Sequence, residues 1–311
     1  MRLPAWMSAW NPLRGAYVEF SRARRRMSAH FLGRMWLRVF AVMGILLLPA
    51  LLHADPPPLI FGVFPNLSAK LLIETYRPMA DALQNQLGRP VELYSAPGFA
   101  TFVARTRGGE YDILLTAPHL AWLARQDAGY RPLLKYAEPV RGVLIVKDDS
   151  LIQGIEQLRG NTLAISDPLA VAVIAMLAQI QSRGLKPGVD FPAENAHTHS
   201  NAAIRVFNGA AAAAIIGSQP YRHLPPDVKA RLRVIAETPP LSSQMFLTHP
   251  RLSDSEALAI RQALQAFAVS PSGRAFMAHG GFGGLAEVDG RELREFGSYA
   301  EQVEQALREV R

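Results

Sequence analysis

Along residues 58–310, apolar residues fall into two recurring patterns that predict alternating strands and helices. Short apolar runs bounded by turn residues predict buried strands, and apolar residues three and four positions apart predict helices. Strands are predicted over 59–64, 91–95, 111–116, 131–137, 140–147, 162–166, 195–198, 211–216 and 245–249. Helices are predicted over 72–87, 99–106, 152–158, 169–182, 201–207, 253–267, 290–296 and 299–310, and others begin at Pro118 and near Ser270. This order indicates an α/β fold with mainly parallel sheets and helices on both faces.

The stretch from Tyr111 to Trp122 illustrates how a predicted strand passes into a helix. Its apolar run meets Thr116-Ala117-Pro118-His119, and proline suits the first turn of a helix. A helix start presents backbone N–H groups without partners in the helix, so such a corner can hold an anion. Turns of similar composition follow other predicted strands at Pro65-Asn66, Asp167-Pro168 and Gly217-Ser218. Two successive α/β units with such strand ends predict two lobes that face one another.

Residues 1–54 differ from the rest of the chain in charge and hydropathy. They contain eight arginines and one acidic residue, which leaves equal numbers of basic and acidic residues after position 54. The net charge of the chain therefore gives no reason to expect a nucleic-acid partner. A short basic start at Met35, an apolar stretch and a small-residue end at Ala54 are typical of a secretory signal. The alternative is an uncleaved membrane anchor, and both place residues 55–311 outside the cytoplasmic membrane.

The sequence lacks the local signals of most catalytic and metal-binding sites. It has no cysteine, which excludes disulfides, thiolate metal sites and a cysteine nucleophile. It has no Gly-x-Ser-x-Gly elbow and no His-Glu-x-x-His pair, and Gly280–Gly284 lacks the lysine of a phosphate-binding loop. His197 and His199 have a spacing that metals use, but no third ligand is near in sequence, which favours a polar strand end. We therefore predict no enzyme activity, no catalytic residue, no metal and no cofactor.

The sequence also suggests roles for several single residues. His119 could bond a ligand oxygen or cover the end of a sheet, and these readings are equally supported. Asp167 is expected to cap the next helix rather than touch a ligand. Aromatic residues at positions typical of core packing are Tyr76, Tyr94 and Trp122.

Five blocks of the sequence resemble a known family in their order and spacing. They are FGVFPN (61–66), YRPMADALQNQLGRPVELYSA (76–96), YDILLTAPHLAW (111–122), GVLIVKDDSLIQGIEQLRGNTLAISDP (142–168) and SPSGRAFMAHGGFGG (270–284). Together they look like the phosphonate/phosphite/phosphate-type periplasmic substrate-binding proteins of ABC transporters. The resemblance implies a two-lobed, type II Venus-flytrap protein that binds its ligand between the lobes.

The resemblance also implies how the chain is divided and where the ligand lies. The first lobe would contain residues 58–139 plus 240–311 and the second lobe residues 141–238, with hinge crossovers near Glu138-Pro139 and Pro239-Pro240. The ligand-binding residues that it implies are Pro65, Asn66, Thr116, Ala117, Pro118, His119, Asp167, Leu169, Ala170, Ser200, Asn201, Gly217 and Ser218.

One turn departs from the pattern of the family. After Asp167-Pro168 the family usually has serine and threonine, whereas this chain has Leu169-Ala170-Val171-Ala172. Each lost hydrogen bond to a charged ligand would cost roughly 1.5–3 kcal/mol. This departure favours a ligand that is less polar or differently charged than a phosphonate.

We predict a periplasmic, monomeric binding protein that captures a small anionic solute, phosphonate- or phosphate-like, and delivers it to an inner-membrane permease. An alternative is a sensing subunit for a membrane kinase or cyclase on the same scaffold. A hydrolase or a thiamine-pyrimidine-binding variant of the scaffold is the third reading.

Overall fold

The computed structural model describes residues 56–309, in which eleven strands form two sheets. The strands are β1 (Leu59–Val63), β2 (Val91–Tyr94), β3 (Ile113–Thr116), β4 (Arg131–Tyr136), β5 (Gly142–Lys147), β6 (Leu163–Ile165), β7 (Ala193–Asn195), β8 (Ala213–Gly217), β9 (Leu232–Glu237), β10 (Met245–Thr248) and β11 (Leu285–Ala286). The six-stranded sheet has the order β11-β4-β10-β3-β1-β2, and the five-stranded sheet has the order β7-β6-β8-β5-β9. The sheets with their helices are the first and the second lobe, respectively.

Helices flank both sheets, as the alternating pattern predicts. They are α1 (Ala69–Leu87), α2 (Phe99–Arg107), α3 (Pro118–Ala128), α4 (Val171–Ser182), α5 (His199–Phe207), α6 (Ser218–Arg222), α7 (Pro226–Lys229), α8 (Asp254–Val269), α9 (Pro271–Gly280), α10 (Gly290–Glu295) and α11 (Gly297–Glu309). Where a helix was predicted over 152–158, the chain forms only a short 3₁₀ helix, Ile155–Leu158. Pro78 lies within α1, which continues past it to Leu87.

Both sheets are mixed, because an inner strand of each runs antiparallel to both of its neighbours, and β11 at the edge of the first sheet is antiparallel to β4. β2, β1 and β3 are parallel, and β10 lies antiparallel between β3 and β4. In the second sheet β7, β6 and β8 are parallel, and β5 lies antiparallel between β8 and β9. The two inner reversed strands, β5 and β10, are the first strands that the chain forms after each crossing between the sheets. The prediction of mainly parallel sheets therefore describes the direction of most strands, but it misses these two insertions.

Two connections join the sheets, at 137–141 and 238–244. They pair with each other, since Val140 N–H donates to the Leu241 carbonyl over 3.0 Å and Leu241 N–H returns a bond of 2.8 Å to Val140. The Thr238 hydroxyl accepts a hydrogen bond from Gly142 N–H at 2.9 Å. A two-stranded connection of this kind can bend while it keeps its hydrogen bonds, which suits a hinge.

Local signals in the sequence account for the ends of several helices. Ser253 and Glu256 form a reciprocal capping box at the start of α8. Gly88 and Gly129 adopt left-handed conformations directly after α1 and α3, where a side chain would be strained. Such caps fix where a helix ends, and so they fix where the adjoining strand can begin.

The predicted leader, residues 1–54, lies outside the described residues. Within residues 56–309, none of the helices combines the length and apolar character required to cross a bilayer.

Candidate functional site

A cavity lies between the two sheets, at the ends of strands from both. The first lobe contributes Phe64, Asn66, Phe99, Ala117, Pro118 and Gln244. The second lobe and its connection contribute Val140, Arg141, Ala170, Val171, Ala172, His199, Gly217, Ser218, Gln219 and Pro220. The cavity thus has the location expected of a ligand site in a clamshell protein.

Three helices of nine to twelve residues begin on the cavity wall. α3 starts after Ala117, α4 starts after Ala170, and His199 is the first residue of α5. The N–H groups of the first turn of a helix have no carbonyl acceptor within that helix. Together with the helix dipoles, these groups give the cavity a positive electrostatic potential that favours an anion.

Arg141 is the only residue with a permanent charge among the described residues that line this cavity. Its backbone N–H donates to Ser218 Oγ at 3.1 Å, and Ser218 N–H donates to the Arg141 carbonyl at 2.8 Å. Its guanidinium donates to the Thr238 carbonyl at 3.2 Å. These bonds extend the β5–β8 pairing to the hinge and hold a cation beside the cavity.

His199 is a neutral hydrogen-bonding group on the wall. Burial lowers the pKa of His199 to about 4, so the imidazole is uncharged near pH 7. Its Nδ1 accepts a hydrogen bond from Gly217 N–H at 3.3 Å. The proton of the neutral ring is therefore on Nε2, which is available to donate to an anion.

Phe64 and Phe99 form an apolar part of the wall in the first lobe. Their rings meet edge to face, with centroids 6.0 Å apart and planes at 75°. The cavity therefore pairs donors for an anion with an apolar surface.

Several hydrogen bonds join the two lobes around the cavity. Gln244 Nε2 donates to Gln219 Oε1 at 2.8 Å, and Arg222 donates to the Gly281 carbonyl at 3.3 Å. His119 Nε2 donates to the Leu169 carbonyl at 2.8 Å, and the His119 side chain is 0% exposed. Burial lowers the pKa of His119 to about 4, so this bond is made by a neutral ring. The structure accordingly represents a closed arrangement of the lobes.

Of the thirteen residues predicted to bind the ligand, the cavity wall includes Asn66, Ala117, Pro118, Ala170, Gly217 and Ser218. The wall does not include Pro65, Thr116, His119, Asp167, Leu169, Ser200 or Asn201.

Thr116 and His119 lie on either side of the cavity-lining pair Ala117-Pro118, yet they face elsewhere. Thr116 is fully buried and lies with Leu120 and α2 residues, behind the sheet. Successive side chains of a strand point to opposite faces, which explains why Ala117 rather than Thr116 reaches the cavity. His119 bonds Leu169 across the lobes, so it joins the lobes instead of lining the cavity.

Asp167 does not cap α4, contrary to the prediction. Its Oδ1 accepts from Leu169 N–H at 2.8 Å and closes the turn ahead of the helix, whose N-cap is Ala170. Burial raises the pKa of the Asp167 carboxyl. Three residues separate Asp167 from Val171, the first residue of α4, so its carboxylate is used in the turn rather than at the helix start.

Ser200 and Asn201 are exposed, because α5 begins two residues earlier than predicted. Thr198 is the N-cap, and its hydroxyl accepts from Asn201 N–H at 3.1 Å. Asn201 Nδ2 donates to the Ala196 carbonyl, also at 3.1 Å. His199 therefore takes the place on the wall that was predicted for its two neighbours.

Sequence reasoning missed Arg141, His199, Gln219, Gln244 and the phenylalanines on the wall. Gln219 follows the predicted turn Gly217-Ser218 directly, and His199 had been noted for its spacing from His197. Arg141 adjoins the predicted hinge at Pro139. Gln244 had no signal of its own, since it is brought to the wall only by the return of the chain to the first lobe.

Burial tests the prediction that three aromatic residues belong to the core. Tyr76 is buried in the core and Trp122 is half-buried against it, but Tyr94 is 46% exposed. Tyr94 ends β2, which is the edge strand of its sheet, so its outer face has no covering layer. His197 is exposed, and residues 56–309 contain no group of three or more His, Asp or Glu side chains suited to a metal ion.

Comparison with known proteins identifies the scaffold. The chain is similar to the binding protein component of an ABC phosphonate transporter from Pseudomonas aeruginosa, with 19% identity and a TM-score of 0.73 over 81% of this chain and 89% of that one. It is also similar to a phosphonate-transporter protein from Prochlorococcus marinus solved with methylphosphonate, with 12% identity and a TM-score of 0.72 over 80% and 99% of the two chains. The alkanesulfonate-binding protein of Xanthomonas axonopodis pv. citri, solved with MOPS, has 17% identity and a TM-score of 0.56 over 82% and 95%. At these identities the likeness shows a shared type II, two-lobed fold.

The sequence itself carries the family assignment. Residues 61–293 match the family described as "ABC transporter, phosphonate, periplasmic substrate-binding protein". Proteins of this family are binding proteins rather than enzymes, and they work in the periplasm with a small solute and a membrane permease. The match covers both sheets and every element on the cavity wall. The chain therefore belongs to the periplasmic substrate-binding proteins of phosphonate ABC transporters, the family that its five sequence blocks resemble.

Proposed function

We propose that the ligand of this protein is a small oxyanion, phosphonate- or phosphate-like, held in the cavity between the lobes. Its oxygens would accept hydrogen bonds from backbone N–H groups at the starts of α3 and α4, from His199 and from Arg141. The observation that carries this proposal is that three helix starts and one guanidinium share a cavity wall without a carboxylate among its described residues. Such a wall favours a negative charge.

The solved relatives support the same ligand class. The Prochlorococcus protein was solved with methylphosphonate and the Xanthomonas alkanesulfonate-binding protein with MOPS, so each accompanies an oxyanion that carries an organic group. The turn Leu169–Ala172 supplies no hydroxyl here. Backbone N–H groups therefore have to supply more of the hydrogen bonds than in a serine-rich cradle.

The proposed lobes are residues 58–139 plus 240–311 and residues 141–238, and they close around the ligand by bending at the two connections. The protein would be exported by the signal within residues 1–54 and would act as a monomer. Contacts that form only when the lobes meet, such as His119 with Leu169, would favour the closed form once ligand is bound.

A thermal-shift screen of the purified protein tests the ligand class. Phosphate, phosphite, methylphosphonate, methanesulfonate and acetate would be compared. A ligand present at a hundred times its dissociation constant adds about 2.7 kcal/mol to the free energy of unfolding, which raises the melting temperature measurably. If none of the phosphorus or sulfur oxyanions raises it, the proposal is wrong.

Two serine variants localise the site. Ser218→Ala removes a hydroxyl from the wall, whereas Ser200→Ala removes an exposed hydroxyl outside it. We expect Ser218→Ala to reduce the ligand-induced shift and Ser200→Ala to leave it unchanged. Arg141→Gln should weaken binding by roughly 10- to 150-fold, the equivalent of one charge-assisted hydrogen bond. Equal responses of the two serine variants would place the ligand elsewhere.

A further inference from the structure

A second cavity, the side chamber, adjoins the cavity described above and shares part of its wall. Asn66, Gln219 and Pro220 line both, so these three residues, which we call the neck, lie where the two cavities adjoin. The side chamber is the more spacious of the two cavities. Its walls come from α1 and α9 in the first lobe and from α6 and His223 in the second. It therefore also lies between the lobes and changes when they open.

The neck has polar atoms that no protein group satisfies. Asn66 Oδ1 and Gln219 Nε2 are both buried and both lack a hydrogen-bond partner. Gln219 is 5% exposed, and its Oε1 is held by Gln244. Buried amide atoms without partners are costly, so the site gains stability when an oxygen of the bound oxyanion reaches the neck and bonds there.

The walls of the side chamber beyond the neck are mainly apolar. Leu67, Leu71, Tyr76 and Phe282 line it, and none of its described lining residues is Asp, Glu, Lys or Arg. His223 and His279 stand at its rim, with ring centroids 4.9 Å apart. Partial burial, together with the nearby positive charges, lowers the pKa of His223. The side chamber therefore offers apolar contact without an ion pair.

We propose that the side chamber receives an uncharged apolar tail of the ligand, so that the substrate is an oxyanion with an alkyl or aryl substituent of about four or more carbons. This inference rests on the proposed function, since the oxyanion would occupy the first cavity and the tail would pass through the neck. A short aminoalkyl substituent would find no carboxylate in either cavity.

Calorimetric titration with an alkylphosphonate series tests the proposal. Burying one methylene contributes a factor of roughly four in affinity when its surface is fully removed from water. Because the rim is open, part of each methylene stays in contact with water, and we expect affinity to rise about two- to fourfold per added methylene. Pentylphosphonate should therefore bind at least tenfold more tightly than methylphosphonate. 2-Aminoethylphosphonate should bind more weakly than propylphosphonate, its uncharged counterpart of equal length.

Two variants on α1 test whether the tail of the ligand lies in the side chamber. Leu71 lines the side chamber and is 41% exposed, whereas Ile73 is 44% exposed and lines neither cavity. Leu71→Asp should bring the ratio of the methyl and pentyl dissociation constants close to one, and Ile73→Asp should leave that ratio as in the wild type. Because the two side chains are similarly exposed, both variants should fold equally well, and a melting curve of each variant checks this.

The outcomes separate the two proposals. If methylphosphonate binds and pentylphosphonate binds no better, the tail proposal fails while the proposed function stands. If pentylphosphonate binds better but Leu71→Asp keeps the preference, the tail lies outside the side chamber and the proposal is overturned. If no phosphonate of any length binds, the tail proposal fails, and if phosphate, phosphite and methanesulfonate also fail to bind, the proposed function fails with it.

Discussion

The hydrogen bond between His119 and Leu169 makes lobe closure sensitive to a single side chain. The Leu169 carbonyl can only accept, so His119 Nε2 carries the proton and Nδ1 is left without a partner. In a His119→Leu variant the carbonyl would still meet water when the lobes are open. When they close, it would be buried with no donor. The substitution therefore penalises the closed form specifically.

The expected size of this effect follows from the burial of the pair. His119 is completely buried, and an unsatisfied buried carbonyl costs about 1–3 kcal/mol. If the free protein is open, the whole penalty appears in the binding free energy, and the dissociation constant should rise by roughly 5- to 150-fold. His119→Gln, which can still donate from its side-chain amide, should recover part of the affinity.

Calorimetric titration with the oxyanion that gives the largest thermal shift would measure the affinity, and small-angle scattering with and without ligand would measure closure. Thr106→Val is a matched control, because the Thr106 hydroxyl is buried and donates only within its own lobe, to the Phe102 carbonyl at 2.9 Å. The control should lower the melting temperature without changing affinity. If His119→Leu binds as tightly as the wild type, the interlobe bond does not contribute to closure and the reasoning is refuted.

Three further predictions concern stability. Burial lowers the pKa of both His119 and His199 from 6.5 to about 4. On acidification these rings therefore take up protons in the unfolded chain before they do so in the folded protein. The free energy of unfolding should consequently fall by up to roughly 3 kcal/mol per ring between pH 6.5 and 4. Urea titrations at pH 7 and 5 check this, and stability that is equal or higher at pH 5 contradicts it. Gly142→Ala would place Cβ 2.6 Å from the Ala172 carbonyl oxygen, so it should lower the free energy of unfolding in urea by about 1–3 kcal/mol. The control Gly98→Ala would place Cβ where no atom lies within 4 Å, so it should lower that free energy less. The Asp112 carboxylate accepts hydrogen bonds from Ile60 N–H at 2.8 Å and from Arg251 Nε at 2.7 Å. Asp112→Ala should therefore lower the free energy of unfolding by about 2 kcal/mol with little effect on ligand affinity. An unchanged free energy of unfolding would show that these two hydrogen bonds contribute nothing to stability.

The two-lobed α/β fold and the family were both predicted from the sequence, and both are confirmed. The local signals were sufficient because most elements begin and end at caps and turns encoded nearby, such as Ser253 with Glu256. The failures occurred where a local signal was shared by two outcomes. Ser200-Asn201 and Thr198 can each start a helix, and only the packing of α5 against β8 decides that Thr198 does so.

The site was less predictable than the fold, for two physical reasons. A turn in the sequence locates a strand end, but the direction of each side chain depends on the pleat, so Thr116 and Ala117 could not be told apart. The second reason is distance along the chain. Gln219 and Gln244 are 25 positions apart along the chain and meet across the cleft, a contact that exists only because the lobes close. Single-sequence patterns carry no information on such pairs.

The reversed strand β10 has a consequence for how the protein is made. It lies between β3 and β4, so the middle of the first sheet stays empty until residue 248 has been synthesised and delivered. The second sheet draws all its strands from one uninterrupted segment, Gly142 to Glu237, and can assemble without waiting for either end of the chain. The second sheet can therefore form before the first. Until β10 arrives, the first sheet is incomplete, and the facing edges of β3 and β4 are unpaired. Unpaired strand edges are prone to aggregate, so the order of folding leaves the first sheet exposed to aggregation for longer.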